Sequence, residues 1–332
     1  MTTMTKRERV LATLAGEPVD KIPYGFWGHH PPEDETVEGI VKVQLDWHRQ
    51  YDMDFMKVMF RSTWCLEDWG CEFDGFHPEV GYWLWVKYPV QQPHDWGSLA
   101  VFEPSYGAFG EQLEVLRLIK QSLPDDAPIL ATLFSPLMVA AQLAGDRLLF
   151  EHLRNHPEAL HEGLQRITRT MERFTEACFE HGADGVFYAT QYASYDLLTV
   201  DEYAEFGTRY DKPLLDIIRQ HSIFTMLHLH GRNLMFDLAA EWPIHAVNWY
   251  DRDTSPTLAE GRTRSQRCVI GGVDHERTLV TGSAAEIAAE VHNGVEQCAG
   301  RGMMIGPGCA VLLTTPSENL HALKQAVVAT GT

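Results

Sequence analysis

No run of apolar residues in this 332-residue sequence approaches the roughly 20 needed to cross a bilayer. Basic charge is also scarce: 27 Lys and Arg stand against 46 Asp and Glu, for a formal net charge of −19. A surface that negative repels phosphate backbones and anionic lipids, so neither nucleic acid nor a membrane is expected as a partner. An anionic substrate stays open, because an arginine or a metal can invert the field inside one pocket. The six cysteines (65, 71, 178, 268, 298 and 309) show neither paired nor CxxC spacing, which points to reduced thiols and a cytoplasmic protein. The first residues, MTTMTKRERVLATLAGEP, lack the apolar core of a signal peptide and predict an amphipathic helix instead. The glycine pair Gly271-Gly272 does not fit the GxGxxG spacing of a dinucleotide site. Internal repeats, low-complexity tracts and linkers are missing too, so a single domain over residues 1–332 is expected.

What is present is an alternation. Apolar runs rich in β-branched and aromatic residues predict strands at Ile22–Trp27, Asp54–Phe60, Ile129–Ser135, Gly185–Gln191, Phe224–His230, Ala246–Asp251, Cys268–Asp274 and Met303–Cys309. Between them, helical periodicity covers Val37–Gln50, Glu111–Gln121, Pro157–His181, Val200–Gln220, Ala284–Ala299 and Pro316–Ala329. Ser283 with Glu286, and Pro316 in a first-turn position, are start signals for the last two. Eight strands alternating with helices predict a (β/α)8 TIM barrel, with an open doubly wound sheet as the alternative. Residues 61–110 break the pattern and carry Trp64, Trp69, Trp83, Trp85 and Trp96. This Trp-rich excursion after the second strand is expected either as a β-hairpin lid over the barrel mouth or as a satellite cluster on the wall.

In such a barrel the polar residues at strand C-termini form the site. The fifth strand ends His228-Leu229-His230, and alternation points both imidazoles to one face. The eighth ends Gly306-Pro307-Gly308-Cys309. Two imidazoles and a thiolate supply three of the four tetrahedral positions zinc prefers, with one left for water or substrate. A buried core histidine and a small apolar cysteine are the plainer reading of the same residues. His29 and His30 follow the first strand and Arg61 the second, while Tyr188 and Gln191 end the fourth and Asn248, Trp249 and Asp251 the sixth. His29, His30, Gln191, Asn248 and Trp249 suit a pocket lining; Arg61, Tyr188 and Asp251 are candidate catalytic groups.

The opening RERVLATLAGEPVDKIPYGFW and the closing GGVDHERTLVTGSAAEIAAEV and GPGCAVLLTTPSENLHAL resemble uroporphyrinogen decarboxylase-like proteins along essentially the whole chain. True uroporphyrinogen decarboxylases carry an arginine-rich RQAGRY-type segment after the first strand. Here the stretch is GHHPPEDE, where a polycarboxylate would meet Glu33, Asp34 and Glu35. The resemblance is therefore closer to the corrinoid:thiol methyltransferase branch, whose zinc motif is HxC on the fifth strand and a Cys in a PGC-type turn on the eighth. His228 and Cys309 match it, and His230 stands where that branch has cysteine. Imidazole in place of thiolate leaves the metal more positive and a bound thiol less nucleophilic.

The resemblance implies one zinc per chain, held by His228, His230 and Cys309. It further implies a thiol acceptor, a methyl donor that is a corrinoid protein or a small methylated compound, and a homodimer. Two alternatives remain on the residues. One is metal-dependent lyase, decarboxylase or hydrolase chemistry on a small carboxylate, with Arg61 as anion anchor and Asp251 as base. The other is a non-catalytic barrel that holds a small ligand.

Overall fold

The computed structural model describes residues 3–331. Seven strands form one curled, all-parallel sheet: β1 (Met56–Lys57), β4 (Ile129–Phe134), β5 (Gly185–Thr190), β6 (Phe224–Leu229), β7 (Ala246–Asn248), β8 (Cys268–Val273) and β9 (Met303–Pro307), adjacent in that order. Parallel neighbours need crossovers, and helices supply them, which leaves the strands buried on both faces. The result is a TIM-barrel-like α/β architecture.

The first expected strand is not a regular one. Residues 22–27 are extended, with one bridge from Tyr24 to Ile305 of β9. Pro23 has no amide hydrogen to donate, and Tyr24 N–H goes to the Asp54 carboxylate at 3.1 Å instead of a strand carbonyl. The segment still touches both neighbours: Gly25 N–H donates to Ile305 O on one side, and Tyr24 O accepts from Asp54 N–H on the other. The second expected strand shrinks to Met56–Lys57, although Asp54 N–H still donates to Tyr24 O and Val58 N–H to Leu130 O.

Helix starts follow local chemistry. Thr5 and Glu8 form a capping box on helix Lys6–Leu14, as Ser283 and Glu286 do on Ala284–Gln297. Pro316 is the residue before helix Ser317–Val328 rather than its first turn. The predicted helix Val200–Gln220 forms, with a π-turn at Ala204–Thr208 between Val200–Tyr203 and Arg209–His221. Several helices had no counterpart in the periodicity, among them Pro136–Ala144, Asp146–Asn155 and Leu258–Ser265. Among the described residues, no helix is long and apolar enough to cross a membrane.

Within residues 61–110, β2 (Glu72–Phe76) and β3 (Trp83–Lys87) pair antiparallel, with Phe73 opposite Trp85. Trp64 is buried among Phe60, Phe109 and Phe174, and Trp96 donates from Nε1 to His152 Nδ1 at 2.9 Å. Trp64, Tyr82 and Trp85 also line the cavity at the sheet's C-terminal end.

Candidate functional site

Three donors converge where β6 and β9 end. Strand alternation turns His228 and His230 to the same face of β6, and their rings lie 5.8 Å apart. The turn after β9 brings Cys309 to them. The ligating atoms of His228, His230 and Cys309 all lie within 4.8 Å of one another. Gly308 permits this approach: a Cβ there would meet Tyr250 Cδ1 at 2.9 Å and Tyr250 Cα at 3.0 Å.

The hydrogen bonds around His228 settle which nitrogen is free. Asn248 Nδ2 donates to the carbonyls of Ile270, at 2.9 Å, and Pro307, at 3.0 Å. Its Oδ1 therefore faces His228 Nδ1 as an acceptor, at 2.6 Å. The proton belongs on Nδ1, and Nε2 keeps its lone pair. That Nε2 is buried and has no partner. A buried polar atom without a partner is costly, and a metal ligand is the ordinary resolution for an imidazole beside a thiol. His230 Nδ1 lies 3.1 Å from Tyr250 Oη, an oxygen that accepts from Nδ1–H when Nε2 ligates.

Electrostatics agree with this chemistry. Burial alone would raise the Cys309 thiol, but the His228 and His230 imidazoles outweigh it and hold Cys309 well below the ordinary thiol range. Burial, and next the charge of Cys309, push Tyr250 up, so its phenol stays protonated. The residues thus fit a divalent ion: two imidazoles and a thiol converge on one point, with His228 oriented by Asn248 and His230 by Tyr250.

The donors face a cavity of about 690 Å³. Of the residues expected to line a pocket, His29 and Gln191 do so. Asn248 stands directly behind His228. His30 packs edge-on against Trp47 at 4.3 Å, with burial lowering its pKa to about 4. Trp249 is fully buried against Phe236 and donates to Pro256 O, away from the cavity.

The three candidate catalytic groups also lie outside the cavity lining. Tyr188 points to the helix layer, where its hydroxyl donates to Asp211 Oδ1 at 2.5 Å. Asp251, whose carboxyl burial raises to about 7, accepts from Gly272 N–H at 3.1 Å. Arg61 is held by Glu67 and Glu111, each at 2.8 Å, and by the Glu35 carbonyl. In their place the cavity holds Lys57, Phe187, Tyr250 and His275. Lys57 had a signal: it is the one charge inside the apolar run FMKVMF. Tyr250 shares the Asn248 face of its strand by alternation.

A curled parallel sheet with its donor cluster and cavity at the strands' C-terminal ends defines the enzyme architecture of (β/α)-barrel type. The chain belongs to the uroporphyrinogen decarboxylase (URO-D) family, whose pattern matches residues 5–329. It is similar to the methylcobamide:CoM methyltransferase MtbA of Methanosarcina acetivorans, 22% identical over 97% of each chain. A solved methyltransferase structure from Methanosarcina mazei superposes with a TM-score of 0.85, at 23% identity over 98% of this chain and 99% of that one. Uroporphyrinogen decarboxylase 2 of Oryza sativa matches less: 24% identity over 62% of this chain and 54% of its own. The chain is an enzyme of this family, on the methyltransferase side.

Proposed function

We propose that this enzyme is a zinc-dependent methyltransferase that transfers a methyl group to a small thiol. The donor would be a methylated corrinoid on a partner protein or a small methylated compound. The observation that carries the reading is the unpartnered, buried Nε2 of His228 beside His230 and Cys309. These three would hold one zinc per chain, and zinc supplies a Lewis acid that lowers the pKa of a bound thiol.

The chain's own residues do the rest. Asn248 fixes the His228 tautomer. Tyr250 orients His230, and its protonated hydroxyl keeps a hydrogen that can point to Cys309. Phe187 stacks on the His228 ring at 5.2 Å and, with Trp27 and Met59, lines the cavity with apolar surface that excludes water. In this reading residues 22–27 complete a closed eight-stave barrel, and the hairpin of β2 and β3 covers its mouth. A single domain, a homodimer and a cytoplasmic location belong to the same proposal.

Lyase or hydrolase chemistry gains no support from Arg61 or Asp251, whose hydrogen-bonding groups are engaged elsewhere. The test is elemental analysis of protein purified without chelator, joined to transfer from methylcobalamin to small thiols. About one zinc per chain and thiol methylation that vanishes in His228→Ala are expected. Protein that stays metal-free in micromolar zinc overturns the reading.

A further inference from the structure

Where the β2–β3 hairpin meets the cavity, the wall is built differently from the donor end. Tyr82 and Trp85 bring two rings from the hairpin, with centroids 6.1 Å apart. Tyr88 follows β3, and its ring lies against Gly145, where a Cβ would stand 3.6 Å from its Cζ. Tyr192 comes from beyond β5, and its hydroxyl donates to Asp146 Oδ1 at 2.5 Å. Aromatic rings and a carboxylate thus adjoin in one part of the lining, and Glu276 adds a second carboxylate to the same cavity.

Charge decides what this wall suits. Among the described residues no Lys, Arg or His lies within ion-pair distance of Asp146 or Glu276, whereas Asp253 and Asp274 are paired with Arg232 and Arg277, at 2.7 and 2.6 Å. A helix start explains an acid at position 146, but not the rings beside it. The one amine in the cavity, Lys57, packs against Met59 and Phe187, and burial lowers its pKa to about 7. An anion would therefore meet two carboxylates and little opposing charge, and an apolar guest would leave both carboxylates unused. A weakly hydrated cation is drawn by carboxylates and ring faces alike. N–H bonds on such a cation would each need an acceptor, whereas methyl groups need only the ring faces. We propose that the hairpin end of the cavity binds a small methylated onium, a quaternary ammonium or a sulfonium ion. Its use as the small methylated donor rests on the proposed methyltransferase reading; the onium site does not. In that use a methyl carbon leaves nitrogen or sulfur, which keeps the bonding pair as a neutral amine or thioether, and bonds to the thiolate sulfur of the acceptor.

The experiment is calorimetric titration, at about pH 8 where Lys57 is mostly neutral, with choline and with 3,3-dimethyl-1-butanol, its uncharged isostere. Choline should bind wild type about five- to thirty-fold more tightly, the range of a desolvated cation–π contact. Trp85→Leu should erase most of that preference. Asp146→Asn, a change at an exposed position, should reduce it and serves as the second variant should the first misfold. Equal binding of the two probes, no binding of either at millimolar concentration, or a preference untouched by both variants overturns the proposal. For the donor role, choline with deuterated methyl groups is incubated with zinc-loaded protein and 2-mercaptoethanol, and a deuterated methyl thioether is expected. If none forms while methylcobalamin still methylates the thiol, the donor role alone falls. If neither compound methylates it while choline still binds, the methyltransferase reading fails and the onium site stands.

Discussion

Asn248 Oδ1 lies 2.6 Å from His228 Nδ1, and the same amide donates to Ile270 O and Pro307 O. One side chain thus joins the ends of β6, β7, β8 and β9. Its removal frees the His228 ring to rotate and to change tautomer. Asn248→Ala should weaken zinc affinity about 10- to 100-fold, as loss of an outer-shell partner does. Competition with a chromophoric chelator measures it, and unchanged affinity would show that Asn248 does not orient the ligand.

Cys309→Ser should lose most of the metal and the activity with its circular dichroism unchanged, because the barrel core lies elsewhere. In wild type, zinc uptake should release protons and weaken as the pH falls and the donors protonate. His230→Cys should keep zinc and raise the rate of thiol methylation, because thiolate in place of imidazole leaves a bound thiol more nucleophilic. Zinc retained at full affinity in Cys309→Ser removes the thiolate from the site.

Arg9 is a stability prediction. It binds Asp20 and the fully buried Asp54, each at 2.6 Å, and so anchors the N-terminal helix to the extended segment at Tyr24. Arg9→Ala leaves Asp54 with Lys21 at 3.4 Å. A loss of about 3–5 kcal/mol is expected, toward the lower end because of Lys21. Urea denaturation reads it, and a change below 1 kcal/mol (about the worth of an exposed pair) would contradict a buried bridge.

Asp211 sets a pH dependence. Burial raises its carboxyl from 3.8 to about 7, although Tyr188 and Tyr203 donate to it. Between those values the folded chain keeps a proton that the unfolded chain has released, so stability falls as pH rises through the window. That contribution is complete below 3.8 and lost above about 7. Asp211→Asn should flatten the denaturation profile between about pH 4 and pH 7. Parallel profiles for variant and wild type would mean that Asp211 is ionised throughout.

Strand alternation explains how much of this site was legible in the sequence. The donors were, because His228 and His230 declare their common face and Cys309 follows a strand-end glycine. The lining was legible only in part. On β7 and beyond, Asn248 and Tyr250 share the inner side, while Trp249 and Asp251 face outward. Tyr188 likewise points away from Phe187 and Ala189, which line the cavity. Polarity at a strand end does not fix parity; one known inward residue does. Helix Pro136–Ala144 was hidden for another reason: it is buried nearly all round, and an apolar run without a polar face shows no 3.6-residue period. The first strand lost its regularity to contacts distant in sequence, between Tyr24, Asp54 and Arg9, that no local pattern carries.

The donors and the side chains that orient them all lie between residues 228 and 309, whereas Lys57, Phe187, Gln191 and His29 come from before residue 200. Gripping belongs to the later stretch of polypeptide, and much of the wall that discriminates belongs to the earlier one. Substitutions before residue 200 can retune which molecule is accepted while the grip stays intact. A lineage built this way can explore new substrates one inward side chain at a time, with its reactive centre held constant.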